Sequence, residues 1–201
     1  MKIKIMSAVM ITAISVVALL GCKKYQDAPL NSTIEDIANS SNKAVDGIPD
    51  SLRAPEGNRL VGDGFARGVQ IYQVKRSAAN PNVFVWVNIA PFATLYTRPD
   101  FKEVMAHHFA GPTWEIVKGH NKGQTVVGKK IFGITQDPSA IQWLLLQAVD
   151  SLSSANNKIT FIQRLYTVGG LAPTTGADEA HLGQLDSIPY TARYFFYESK
   201  H

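Results

Sequence analysis

From Val83 to Ile89 the chain alternates, with Val83, Val85, Val87 and Ile89 on every second position and Phe84 and Trp86 between them. A period of two is what a β-strand requires, because successive side chains point to opposite faces. Val69 and Ile71 share that period, and further segments compatible with strands lie at 92–97, 103–109, 114–118, 124–135, 140–148, 158–168 and 189–198. Turn chemistry separates many of them: Asn80-Pro81-Asn82, Arg98-Pro99-Asp100, Gly119 to Gly123, Asp137-Pro138, Asn156-Asn157 and Gly169-Gly170. About nine short strands without long intervening helices predict an all-β fold, a single antiparallel β-barrel or β-sandwich. The run Ile141-Gln142-Trp143-Leu144-Leu145-Leu146 is continuous rather than alternating. It fits a strand buried on both faces or a short helix, and the strand is favoured.

The first fifty residues have a different pattern. Met1-Lys2-Ile3-Lys4 is a cationic start, and the apolar run from Ile5 to Leu20 is broken only by Ser7, Thr12 and Ser15. It ends in Leu19-Leu20-Gly21-Cys22, which reads as a lipoprotein signal peptide over 1–21 followed by a lipidated Cys22. Residues 22–50 are polar and rich in Asn and Ser, a flexible tether. Some 28 residues of such chain span roughly 30 Å, at about 5–6 Å times the square root of length. The β-rich domain is then 51–201. On this reading the protein is held in the bacterial cell envelope, anchored to a membrane by acyl chains with its domain outside the cytoplasm. Each buried methylene of those chains adds about 0.8 kcal/mol, so several chains make a lasting anchor.

Charge changes meaning once the signal is removed. The whole chain has 20 basic and 16 acidic residues. Residues 1–21 contribute Lys2 and Lys4 and no acid, which leaves 18 against 16 and gives no electrostatic footprint for nucleic acid. Cys22 is the only cysteine, so lipidation there leaves the domain with neither a thiol nor a disulfide.

Five stretches taken in order resemble one family. They are Gly68-Val69-Gln70-Ile71-Tyr72, the run His108 to Glu115 (HFAGPTWE), Ile141 to Leu146, Ile162-Gln163-Arg164 with Thr167 to Pro173, and Pro189 to Tyr197. The chain resembles the exported proteins grouped as domain of unknown function 3455. The resemblance implies an exported, β-rich single domain and no established reaction. Relatives commonly have cysteines at the positions that look like Val74 and Ala177, which would form a disulfide there. They often have an acid where Phe92 stands, and an Asp-Gly-Ser turn within 118–123, a stretch with no acid here.

The chemically richest stretch is His107-His108-Phe109-Ala110-Gly111-Pro112-Thr113-Trp114-Glu115. On a strand His107 and His108 point to opposite faces and cannot readily share a metal, and His120 and His181 match no ligand spacing. No metal and no cofactor are expected. His108 with Glu115 is the candidate catalytic pair, set against a plain strand corner with a hydrogen-bonded histidine. Trp114, Arg164 and Thr167 are the ligand-binding candidates. Trp114 is expected to donate its indole N–H to a carbonyl. Arg164, on a face with Ile162 and Tyr166, is expected to clamp carbonyls or a carboxylate such as Asp186 or Glu198. Gly62 to Gly68 nearly matches a dinucleotide fingerprint, but it leads into a strand instead of a helix. No nucleophile elbow, Walker loop or His-Glu-x-x-His is present. The leading expectation is a lipid-anchored binding module for a small molecule, glycan or protein partner. The alternatives are a hydrolase-like enzyme using His108 and Glu115, and a purely structural envelope protein.

Overall fold

The computed structural model describes residues 47–149, 154–155 and 158–200; the expected signal peptide, Cys22 and the expected tether up to residue 46 lie outside them. Eight antiparallel strands follow one another around a closed barrel: β1 (Asn58–Arg76), β2 (Phe84–Tyr96), β3 (Val104–Phe109), β4 (Thr113–Ile116), β5 (Thr125–Ile134), β6 (Trp143–Ala148), β7 (Ile159–Gly169) and β8 (Leu185–Ser199). Each pairs with its sequence neighbour, and β8 closes on β1 from Asn58↔Ser199 to Gln73↔Leu185. Closure removes the open edges that a sandwich would leave.

The expected strand count of about nine falls to eight because two segments fuse. The alternating run 83–89 and the segment 92–97 form the single strand β2. The pairing with β1 jumps from Ile71↔Ala90 to Tyr72↔Asn88, leaving Ile89 as an extra, unpaired residue. This β-bulge reverses which alternate positions face inward, so Asn88 precedes it and Pro91, Ala93 and Leu95 follow it on the same side.

Inward positions build one core from Ala66, Leu95, Ala106, Trp114, Leu146, Ile162, Tyr194 and Phe196. The near-fingerprint glycines lie within β1, and two of them, Gly64 and Gly68, allow close packing. A Cβ on Gly68 would lie 2.2 Å from the Phe92 carbonyl oxygen and 2.4 Å from the Ala93 Cα, so β1 and β2 approach as only glycine permits. The outer face carries the ion pair of Arg193 with Asp63 at 2.5 Å, and Arg59 pairs with Glu198 where the ends of β1 and β8 meet. Among the described residues no helix is long and apolar enough to cross a membrane.

A second core lies outside the barrel. The segment leading into a single 3-10 turn, Asp50–Leu52, lays Ile48 and Leu52 against Leu145, Leu165 and Phe195. This explains two features of the sequence. The continuous run 141–146 enters a strand buried on both faces, with Leu146 in the inner core and Leu145 in the outer one. The aromatic run Tyr194 to Tyr197 is likewise divided, with Tyr194 and Phe196 inward and Phe195 and Tyr197 outward. Packing of the domain therefore includes Ile48, at the end of the polar stretch. Gln163 fastens this strap: its Nε2 donates to the Leu52 carbonyl at 2.5 Å, and its Oε1 accepts from the Tyr197 hydroxyl at 2.6 Å. Gln163→Leu keeps the volume but leaves both partners unpaired, and is expected to cost about 1–3 kcal/mol in urea denaturation.

The regions around Val74 and Ala177 are joined without a disulfide. Val74 N–H donates to the Gln184 carbonyl at 3.0 Å and its carbonyl accepts from Gly183 N–H at 2.9 Å. Trp86 Nε1 donates to the Thr175 carbonyl at 2.8 Å, and the Tyr72 hydroxyl to the Gly170 carbonyl at 2.7 Å. These bonds hold the long β7–β8 connection over one end of the barrel.

Candidate functional site

The β3–β4 hairpin builds one wall. Its turn, Ala110-Gly111-Pro112, needs the positive φ of Gly111 (96°) and is fastened by the Thr113 hydroxyl donating to the Ala110 carbonyl at 3.1 Å. The register pairs His108 with Trp114 on the inner face and His107 with Glu115 on the other. His108 and Trp114 stack with ring centres 4.4 Å apart and planes 7° from parallel. Tyr194 meets both edge-on, 5.2 Å from His108 and 5.4 Å from Trp114. Gly128 on β5 makes room for the indole: a Cβ there would lie 3.1 Å from Trp114 Cζ3.

His108 Nδ1 is 2.9 Å from the Thr113 carbonyl oxygen, which can only accept, so Nδ1 bears the proton and Nε2 is the acceptor. Burial dominates its acidity. It pushes the imidazole down to about 3, helped by the nearby Arg164 charge and opposed by the Thr113 bond. His108 is therefore neutral at ordinary pH.

Arg164 stands inside the barrel on β7. Its Nε and Nη2 both donate to the Gln142 carbonyl, at 3.1 and 2.9 Å. The expectation of a carbonyl clamp holds in kind, while Asp186 and Glu198 are not its partners. Lys130 Nζ donates to the Gln142 Oε1 at 2.8 Å, so one neutral residue holds two cations. The Arg164 charge is felt by Tyr72, His108, Tyr190 and Tyr194, which places it at the centre of the polar layer. Burial pushes the Tyr190 and Tyr194 phenols above their ordinary range and keeps both hydroxyls protonated. Gln70 Oε1 accepts from Asn88 Nδ2 at 2.9 Å, but the buried Gln70 Nε2 has no acceptor. Nor has the Trp114 indole N–H, contrary to the expected carbonyl bond. Three rings pack against the indole, those of His108, Tyr194 and Phe196.

These groups line a cleft of about 790 Å³ at the end of the barrel that carries the β3–β4, β5–β6 and β7–β8 connections. Gln70, Tyr72, His108, Trp114, Arg164 and Tyr194 belong to its wall, and exposed Lys129, Lys130 and Leu171 to its rim. Among its lining residues there is no Asp or Glu. A smaller cleft of about 490 Å³ enters from the opposite end, between Met105, Ile116, Gln124 and Lys158, and Trp114 borders both.

Three of the sequence candidates thus meet: His108, Trp114 and Arg164. Glu115 does not join them, since it faces away on β4 and lines neither cleft. The candidate acid–base pair is not assembled. Thr167 is also absent from the cleft; its hydroxyl donates to the Ile141 carbonyl at 2.6 Å. β7 also bulges here: its pairing with β8 jumps between Leu165 and Val168, and Tyr166 takes a positive φ of 52°. Tyr166 is turned outward against Trp143 and Phe195, not alongside Arg164 as simple alternation implies. Sequence reading missed Gln70, Tyr72, Lys130, Gln142 and Tyr194 as site residues. The available signal was Gln70 and Tyr72 themselves, which alternate with Val69 and Ile71 and occupy the inner face in their place.

No significant match was found among curated proteins or among solved structures. One family does match, over residues 55–198, which is almost all of the barrel. The chain belongs to that family, described as a protein of unknown function (DUF3455).

Proposed function

We propose that the protein is a lipid-anchored binding protein of the cell envelope, whose barrel holds a small molecule in the cleft lined by His108, Trp114 and Arg164. The observation that carries the reading is the convergence of these three side chains with Gln70 and Tyr194 on one solvent-open cavity of about 790 Å³. That size lies within the roughly 300–1,000 Å³ of small-molecule sites, and the mixture of apolar wall and few polar groups is their usual chemistry. Two buried donors without acceptors, Gln70 Nε2 and Trp114 Nε1, favour a ligand over a filled core, since such donors are costly to leave unpaired. The separation of His108 from Glu115 speaks against the hydrolase reading. The lipobox Leu19-Leu20-Gly21-Cys22 supports the anchor.

Both halves have a direct test. Mass spectrometry of the exported chain should find Cys22 at the N-terminus and acylated, and Cys22→Ala should move the protein from the membrane fraction to the soluble one. An unmodified sulfur in the wild type refutes the anchor. A small-molecule library screened by protein-observed NMR should shift the Trp114 indole N–H resonance saturably. A library that leaves this resonance unmoved refutes the cleft.

A further inference from the structure

Resting on that reading of the cleft, the charges inside it narrow the ligand to one chemical class. Arg164, Lys129 and Lys130 all line the cavity, and no carboxylate does. The Arg164 guanidinium is only partly exposed and forms no ion pair among the described residues. Elsewhere in the barrel arginines do find acids: Arg193 takes Asp63, Arg59 takes Glu198 and Arg76 takes Glu179. Arg164 and the rim residue Lys130 rest instead on Gln142, through its carbonyl and its side-chain oxygen. Neutral acceptors orient a cation but leave its charge uncompensated, and a partly buried charge is normally paired.

The geometry of the clamp says which donors remain. A guanidinium has a side edge, formed by Nε and Nη2, and an end edge, formed by Nη1 and Nη2. The Gln142 carbonyl occupies the side edge. The end edge also presents two parallel N–H donors, which match two oxygens of a carboxylate in a bidentate pair. The same cavity is lined by the apolar side chains of Ile141, Leu144 and Leu171. A cavity of about 790 Å³ is far larger than an inorganic anion requires. The two buried donors without acceptors, on Gln70 and Trp114, add hydrogen-bonding capacity for further oxygens.

We propose that the cleft is a receptor site for a small organic carboxylate, whose anionic end takes the end edge of Arg164 and whose apolar body lies against Leu144 and Leu171.

The test uses matched pairs on the intact chain at neutral pH and low salt: benzoate with benzamide, 2-naphthoate with 2-naphthamide, and hexanoate with hexanamide. Calorimetric titration should show each carboxylate binding at least ten-fold more tightly than its amide, with the preference shrinking as salt rises. Arg164→Gln should abolish the preference. Because that change also removes the clamp on Gln142, Arg164→Lys serves beside it: it keeps the charge, loses the two-pronged edge, and should cut carboxylate affinity several-fold while amide affinity is unchanged. Amides that bind as well as acids overturn the anion assignment and leave the cleft a ligand site. Undiminished carboxylate preference in Arg164→Lys overturns the role of the guanidinium edge. Absence of binding by acids and amides alike overturns the carboxylate proposal, whereas the library screen decides the wider reading.

Discussion

Replacing Gly68 with alanine is expected to destabilise the barrel by about 3 kcal/mol or more, beyond the usual 1–3 kcal/mol of an overpacked core. The added Cβ would fall 2.2 Å from a backbone oxygen of Phe92 and 2.5 Å from the Ala93 Cβ, so no side-chain rotation relieves the clash. β1 and β2 would have to separate. Because β1 also pairs with β8, the strain reaches the seam that closes the barrel. Gly62→Ala is the control: nothing lies within 4 Å of its Cβ, and its expected effect is small and of either sign. The pair should be compared by urea denaturation. Equal stability of the two variants would contradict the close approach.

Acid should unfold the protein through His108. The folded-state value of about 3 lies below the ordinary 6.5 because burial penalises the imidazolium. Above pH 6.5 both states are neutral and the full stability is present. As pH falls below 6.5 the unfolded chain takes up a proton that the folded chain refuses, so stability declines until pH reaches about 3. The full loss is on the order of 4–5 kcal/mol, and about 2 kcal/mol of it should appear between pH 6.5 and 5. Carboxylates such as Asp137 and Asp178, whose values are lowered by hydrogen bonds, add their own losses only at lower pH. His108→Gln keeps an amide donor for the Thr113 carbonyl and cannot titrate. Its stability should therefore be flat between pH 6.5 and 5, where the wild type slopes. A wild-type curve as flat as the variant's would mean that the imidazole protonates freely in the folded state.

The candidate site was half legible in the sequence. His108, Trp114 and Arg164 stand out because imidazole, indole and guanidinium are chemically distinctive wherever they occur. Gln70 does not, because a polar side chain in a strand ordinarily means the solvent face, and only the barrel makes that face the interior. Glu115 shows the converse. One residue from Trp114 in sequence, it is separated from it by the sheet, since adjacent side chains on a strand point apart.

Bulges account for most of the remaining differences. At Ile89 and at Tyr166 one extra residue reverses the inward phase, so the period of two survives locally while its meaning changes along the strand. The continuous run 141–146 was ambiguous for another reason: the segment that covers its outer side begins nearly a hundred residues earlier, at Ile48.

What the sequence by itself determined is the class of structure. Period-two alternation, turn residues at close intervals and the lack of helical amphipathicity are local properties, and they suffice for an all-β chain. The tertiary structure decided the closure of β8 on β1, the inward phase of each strand and the gathering of Arg164, Trp114 and Gln70 around one cavity. These depend on contacts between residues far apart in the chain, where packing of both faces and the pairing of every backbone edge select among registers that local preference leaves equal.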